Sequence, residues 1–314
     1  RDIEAAREKV AASMGAEHAT EIVFTSCGTE SDNTAIRSAL ASRQGRKRII
    51  TTRVEHPAIL TTMRYLEREG YDVTVLPVDN DGKMSLEALE EKMGDDVAVV
   101  SIMAANNETG VIFPVEKACT IAHAHGALFH TDAVQALGKI PIDMKNSQID
   151  LLSISGHKVH APKGIGAIYV RRGRRFRPFM LGGHQERGRR GGTENVAGIV
   201  GLGKAAELCS KHLNDEQTRV SALRDRLEKE LLKVEDSRVN GDTENRLPGT
   251  SNISFKRIEG EAILLHLNEH GICASSGSAC TSGSLEPSHV LRAMGVPFDF
   301  AHGSIRFSLS RFNT

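Results

Sequence analysis

The chain has 314 residues, enough for one large domain or two ordinary ones. Hydrophobic residues make up 39% of it and aromatics 4%, with no Trp, so the core must be built from Ala, Ile, Leu and Val, which suits an α/β protein. Forty basic residues balance forty acidic ones, so no overall field favours nucleic acid or an anionic membrane, and no apolar run approaches the length of a spanning helix.

In chain order, apolar runs that read as buried parallel strands alternate with amphipathic helical patterns. The strands are EIVFTS (21–26), RIITT (48–52), DVTVLPV (72–78), DVAVVSIM (96–103), ALFHTDA (127–133), DLLSIS (150–155) and GAIYV (166–170). Helical patterns fall near 30–43, 57–69, 85–93 and 115–125. The alternation predicts a mostly parallel sheet with helices on both faces. From Thr193 to Val234 the pattern is long and helical, and TSNISF (250–255), EGEAILLHLNEHG (259–271) and SIRFSLS (304–310) follow it. These predict a large domain over 1–205 and a smaller α+β domain over 206–314.

Ligands in such sheets bind beyond the carboxyl ends of the strands. After EIVFTS stand Gly28 and Thr29, at a strand-to-helix turn whose free N–H groups suit an anion, with Thr29 or Ser31 as helix cap. After DVAVVSIM come Asn106, Asn107 and Glu108; within and after ALFHTDA come Asp132 and Gln135; after DLLSIS come Gly156, His157 and Lys158. An amide, a carboxylate and a lysine at one sheet edge suit pyridoxal phosphate, which needs a lysine for its Schiff base, a carboxylate at the pyridine nitrogen and a cradle for its phosphate. Lys158 and Asp132 fill the first two roles, and Gly28, Thr29, Ser155 and His157 the third. Lys163 is the rival lysine. His56, just past RIITT, is placed to stack on the ring or, equally, to start a helix.

The five cysteines, Cys27, Cys119, Cys209, Cys273 and Cys280, form neither a CxxC pair nor an even disulfide framework, which fits a reducing cytoplasm. No Cys/His set has a recognised metal-ligand spacing, so no stable metal site is expected. Cys280 stands apart because its neighbours are almost all Gly, Ser, Ala or Thr, which favours a loop rather than a core. Cys273, just beyond Gly271, reads as a structural thiol.

The stretches FTSCGTESDN, VEHPA, NNETG, HTDAVQ, SGHKVHAPKG, GGHQERGRRGGTEN and CASSGSACTSGSLEPSHVLRAMG together resemble the NifS-like cysteine desulfurases, over essentially the whole chain. The resemblance implies a fold-type I pyridoxal-phosphate homodimer in the cytoplasm that converts L-cysteine to L-alanine. It makes Lys158 the Schiff-base lysine and Cys280 the sulfur acceptor, with His56 beside them. It assigns Gly28, Thr29, Ser155, Gly156 and His157 to the cofactor phosphate, Asn107 and Gln135 to the neighbourhood of the cofactor hydroxyl, and Asp132 to the pyridinium. By the same resemblance Thr193 would reach the other subunit's phosphate, and Arg306 would clamp the substrate carboxylate, with Asn107 nearby. The persulfide on Cys280, through which that residue would contact a transient iron–sulfur cluster, would pass to an iron–sulfur scaffold protein, with nitrogenase as the expected beneficiary. A thiol that works at the substrate and again at an acceptor needs an arm, which Gly277 and Gly283 supply.

The family's usual DNNATT-like opening and C-terminal helical portion are missing, so the chain reads as an internal fragment. Two other readings stand beside the first: a related enzyme such as a selenocysteine lyase or aminotransferase, for which the Cys280 arm has no use, and an inactive dimerising fragment.

Overall fold

The computed structural model describes residues 1–276 and 287–314. They pack as two compact units. The first comprises Arg1–Leu76, Ser85–Ala104 and Pro114–Leu213, and the second Pro77–Met84, Ala105–Phe113 and Asn214–Thr314.

The first unit is built on a seven-stranded sheet whose strands are the seven apolar runs of the sequence: β1 (Ile22–Thr25), β2 (Arg48–Thr52), β3 (Asp72–Leu76), β4 (Val97–Ser101), β5 (Leu128–Asp132), β6 (Leu151–Ser155) and β7 (Gly166–Val170). Their order across the sheet is β1-β7-β6-β5-β4-β2-β3. All neighbours are parallel except β7, which runs antiparallel to both β1 and β6. Two reversals restore direction, so β1 points the same way as β6 and ends at the same edge. Val97–Ser101 and Leu151–Ser155 are buried at every residue, as strands covered on both faces should be. Helix α1 (Asp2–Ser13) precedes β1, and α2 (Gly28–Ser42), α3 (Pro57–Arg68), α4 (Leu86–Lys92) and α5 (Val115–Ala124) occupy connections between strands. Ile36, Ala39 and Leu40 of α2 and Ile59, Met63 and Leu66 of α3 meet Val23, Ile49, Val99 and Ile168 of the sheet in one apolar core.

The second unit carries a three-stranded antiparallel sheet of β8 (Ser237–Val239), β9 (Thr250–Phe255) and β10 (Ser304–Ser308), in the order β10-β9-β8. Ile253, Phe255 and Ile305 form its centre, packed against Leu231, Val239, Ile263 and Leu264. The long helical pattern after Thr193 is a helix at Val196–Asp215, a π turn at Glu216–Val220 and a further helix at Ser221–Leu231. Among the described residues, no helix is long and apolar enough to cross a membrane.

Candidate active site

Because β1, β2, β4, β5 and β6 share a direction, the residues that follow them collect along one edge of the first unit's sheet. Gly28 opens α2 directly after β1. A Cβ on it would lie 2.9 Å from Val134 Cγ2 and 3.3 Å from Ser155 Cβ, so this turn is closed to any larger residue. The cap differs from the one expected. Neither Thr29 nor Ser31 caps α2; the Ser26 N–H donates to Glu30 Oε2 at 2.8 Å, while the Ser31 hydroxyl pairs with Thr25 Oγ1 at 2.7 Å. Thr29 is left exposed at the helix start. Ser155, at the end of β6, is buried and pairs with His157 Nδ1 at 2.9 Å. Burial, then the nearby Lys158 and Lys163, hold the His157 ring below its usual pKa, favouring the neutral form. Gly156 packs against Ile165, whose Cγ2 would be 2.8 Å from an added Cβ.

Lys158 is half-buried in the single 3-10 turn Gly156–Val159, whereas Lys163 lies exposed beyond it. Asp132, the last residue of β5, is buried and accepts the Val134 N–H at 2.9 Å. Burial raises its pKa to about 6, and the Val134 N–H and the Lys158 charge pull the other way. Gln135 Oε1 is taken up by Lys139 Nζ at 2.7 Å. His56 does start a helix: its Nδ1 accepts the Ala58 N–H at 3.1 Å as the N-cap of α3. Thr193 is exposed, two residues past a loop whose arginines are all engaged. Arg190 makes a bidentate pair with Glu30 at 2.8 and 3.1 Å, Arg189 donates to the Thr20 carbonyl at 2.8 Å, and Arg187 reaches Glu4 at 3.3 Å.

Asn107 and Arg306 belong to the second unit, where they meet: Arg306 Nη1 donates to the Asn107 carbonyl at 2.9 Å. Asn106 Oδ1 accepts the N–H groups of Glu108 and Thr109, both at 2.9 Å, and so shapes the turn that presents Asn107. Asn107 Oδ1 is buried without a hydrogen-bond partner among the described residues. Glu108 is buried and accepts a short hydrogen bond from the Ser288 hydroxyl, while Ser275 pairs in antiparallel fashion with Arg306. Cys280, with Gly277 and Gly283, lies outside the described residues. Cys273, expected to be structural, is exposed. Among the described residues, no group of three or more His, Cys, Asp and Glu side chains could hold a metal ion.

Three functional candidates escaped the sequence reading. Asp32, Glu55 and His130 are all completely or almost completely buried around Asp132. His130 Nδ1 pairs with Ser101 Oγ and its Nε2 with Ser153 Oγ, each at 2.9 Å, and Asp32 Oδ1 lies 3.6 Å from Nε2. Burial drives the His130 pKa down to about 3, so the ring is neutral. Burial raises Asp32 well above the carboxylate range, and the charge of Asp132 adds to the shift. The available signal was LFHTD: two polar residues, two apart, on one face of an otherwise buried strand.

The residues present fit pyridoxal phosphate. The Gly28 turn admits no side chain beside Ser155, and the buried Asp132 has a lysine for its electrostatic neighbour. The profile of the aminotransferase class-V family matches residues 1–314. A cysteine desulfurase of Nostoc sp. is 62% identical over 313 residues, covering 99% of this chain and 78% of the relative. The cysteine desulfurase NifS of Azotobacter vinelandii is 61% identical over 310 residues, covering 98% of this chain and 77% of the relative. A solved structure described as a NifS-like protein superposes with a TM-score of 0.93 at 41% identity, covering all of this chain and 83% of that one.

Proposed function

The chain belongs to the aminotransferase class-V family, among its cysteine desulfurases, and we propose that it converts L-cysteine to L-alanine with pyridoxal phosphate held at the sheet edge that carries Lys158 and Asp132. The observation that carries this reading is the placement of Asp132, a buried carboxyl at the end of β5 whose ionised form is favoured by Lys158 from the turn after β6.

The cofactor, when bound, supplies a carbonyl that reacts with amines and a ring that draws electrons from the substrate carbon. Asp132 holds a proton at the ring nitrogen, its carboxylate kept from water by burial. The Gly28–Thr29 backbone, the Ser155 hydroxyl and His157 bind the phosphate, with Gly156 keeping the turn tight, and His56 and Gln135 flank the ring. Lys158 moves the proton at the substrate Cα. Arg306 holds the substrate carboxylate as a planar double donor, and Asn107 stands beside it. The Cys280 thiolate attacks the substrate sulfur: a new S–S bond forms, the substrate C–S bond breaks, and its electron pair stays on the carbon that becomes alanine. The exposed Thr193 supports a role toward a second copy in a homodimer, and the persulfide passes in the cytoplasm to an iron–sulfur scaffold protein. The likeness to the Azotobacter NifS supports supply to nitrogenase.

The test is alanine and persulfide release from L-cysteine, with pyridoxal phosphate and a thiol reductant. Lys158→Ala should lose at least about a hundredfold in rate, as expected for loss of a proton-transfer group. Cys280→Ala should keep the cofactor's visible band and lose persulfide. Full turnover in Lys158→Ala would refute the assignment, and bleaching of the band in Cys280→Ala would refute the separation of roles.

A further inference from the structure

Glu55 has no part in the chemistry just described, yet it is completely buried beside the groups that do. Its Oε1 accepts the Thr52 hydroxyl at 2.7 Å and the Met103 N–H at 3.1 Å. Thr52 ends β2 and Met103 lies two residues past β4, so one carboxyl oxygen spans the ends of these neighbouring strands. The next residue, His56, caps α3. Glu55 therefore pins the short turn that presents His56 to the site edge.

The surroundings of Glu55 are acidic. Asp132 comes from β5, and its charge opposes ionisation of both Glu55 and Asp32, while a charge on Glu55 opposes that of Asp32 on α2. Among the described residues, the other titratable groups around the trio are His130, neutral between two serines; Cys27 at the start of α2; His56 in Glu55's own turn; and Lys158, whose charge is felt at Asp132. Three carboxylates in one dry pocket would repel strongly, and the lysine favours ionisation at Asp132. The Thr52 hydroxyl and the Met103 N–H meet the same oxygen, Oε1, as they would the carbonyl of a carboxylic acid.

We propose that Glu55 is a positioning residue that acts as a neutral carboxylic acid, tying the β2 and β4 ends together under the His56 turn and leaving Asp132 as the charged carboxyl of the trio. The shift of Glu55 to about 8, caused chiefly by burial, agrees with this. The inference rests on the cofactor reading above for its purpose, and on the apo chain for its first test.

Glu55→Gln keeps the carbonyl acceptor and removes the ionisation. Urea unfolding of the apo chain at pH 5 to 8 reads the consequence directly. The ratio of wild-type to Glu55→Gln unfolding constants should rise by about tenfold per pH unit across this window, because the unfolded glutamate ionises near its ordinary pKa while the folded one holds its proton. A ratio that stays flat overturns the proposal. If Glu55→Gln does not fold, infrared spectra of the wild-type apo chain with labelled glutamate decide: a protonated glutamic acid band lost between pH 7 and 9 upholds it, and its absence at pH 7 overturns it. In the second arm, Glu55→Gln should bind pyridoxal phosphate within about threefold of wild type, while Glu55→Ala, which removes the oxygen that accepts from both Thr52 and Met103, should bind at least about tenfold more weakly. Equal binding by all three chains overturns the positioning role. Absence of cofactor binding by the wild type, with the pH-dependent ratio intact, would instead overturn the cofactor reading and leave the neutral acid standing.

Discussion

Removing Glu186 should unfold the first unit more readily than any change at its surface. The Arg7 guanidinium in α1 and the Glu186 carboxylate are 4% and 3% exposed, and they pair through two bonds of 2.6 and 2.8 Å. Glu186 Oε2 also accepts the Phe24 N–H of β1 at 2.9 Å. Truncation to alanine therefore strands a buried cation and a buried N–H. Breaking a buried pair from one side costs about 3–5 kcal/mol. The residual partner Glu4, which is half exposed, and the Ile22 carbonyl, 2.9 Å from Arg7 Nη1, offset part of this. We expect a net loss of about 3 kcal/mol, read as a lower urea midpoint at unchanged slope. The backbone at Glu186 has φ 48°, a left-handed value that alanine does not relieve, so strain does not cushion the change. The double variant Arg7→Met/Glu186→Leu removes both charges and should recover most of the loss. A loss below about 1 kcal/mol for Glu186→Ala, within the range of an exposed pair, would refute the reasoning, as would a double variant no better than the single.

Other outcomes follow from the same geometry. Gly28→Ala, which brings a Cβ within 2.9 Å of Val134 Cγ2, should weaken pyridoxal phosphate binding at least about fivefold in a fluorescence titration, the cost of overpacking one turn by about 1–3 kcal/mol; unchanged affinity would show that the turn gives way. His130 is held neutral to about pH 3 while its unfolded ring protonates near 6.5, so the stability it costs appears as pH falls through that window, and His130→Asn should move the acid unfolding midpoint downward; an unmoved midpoint would count against it. Iodoacetamide at pH 8 should label the exposed Cys273 while sparing Cys119, which burial pushes up to about 12, until the chain unfolds; peptide mass mapping would reveal the reverse if that burial were wrong.

The sheet was legible because buried parallel strands are continuous apolar runs, and each of the seven runs became a strand. The antiparallel course of β7 was not, since GAIYV has the same pattern in either direction, and Ser237–Val239 was too short and too polar to register. Lys158 and Asp132 could be picked out by their place after strands. Glu55, Asp32 and His130 could not, because a lone acid or histidine is most often solvated and only the tertiary fold decides that these are dry. The hydroxyl cap expected for α2 is absent because Ser31 is taken up by Thr25, while Glu30 serves Arg190 and, just ahead of the helix, Ser26 together.

The second unit draws on three separate stretches, Pro77–Met84, Ala105–Phe113 and Asn214–Thr314, and this has a consequence for biosynthesis. As the chain leaves the ribosome, its first two contributions emerge long before the third, and they must wait, tethered between strands of a unit that can already begin to close. The NNETG turn emerges at that stage, whereas Arg306 follows 199 residues after Asn107. The partner that completes that turn's surroundings is therefore made much later, and until then the chain carries a finished seven-stranded sheet and an NNETG turn still without its Arg306 contact.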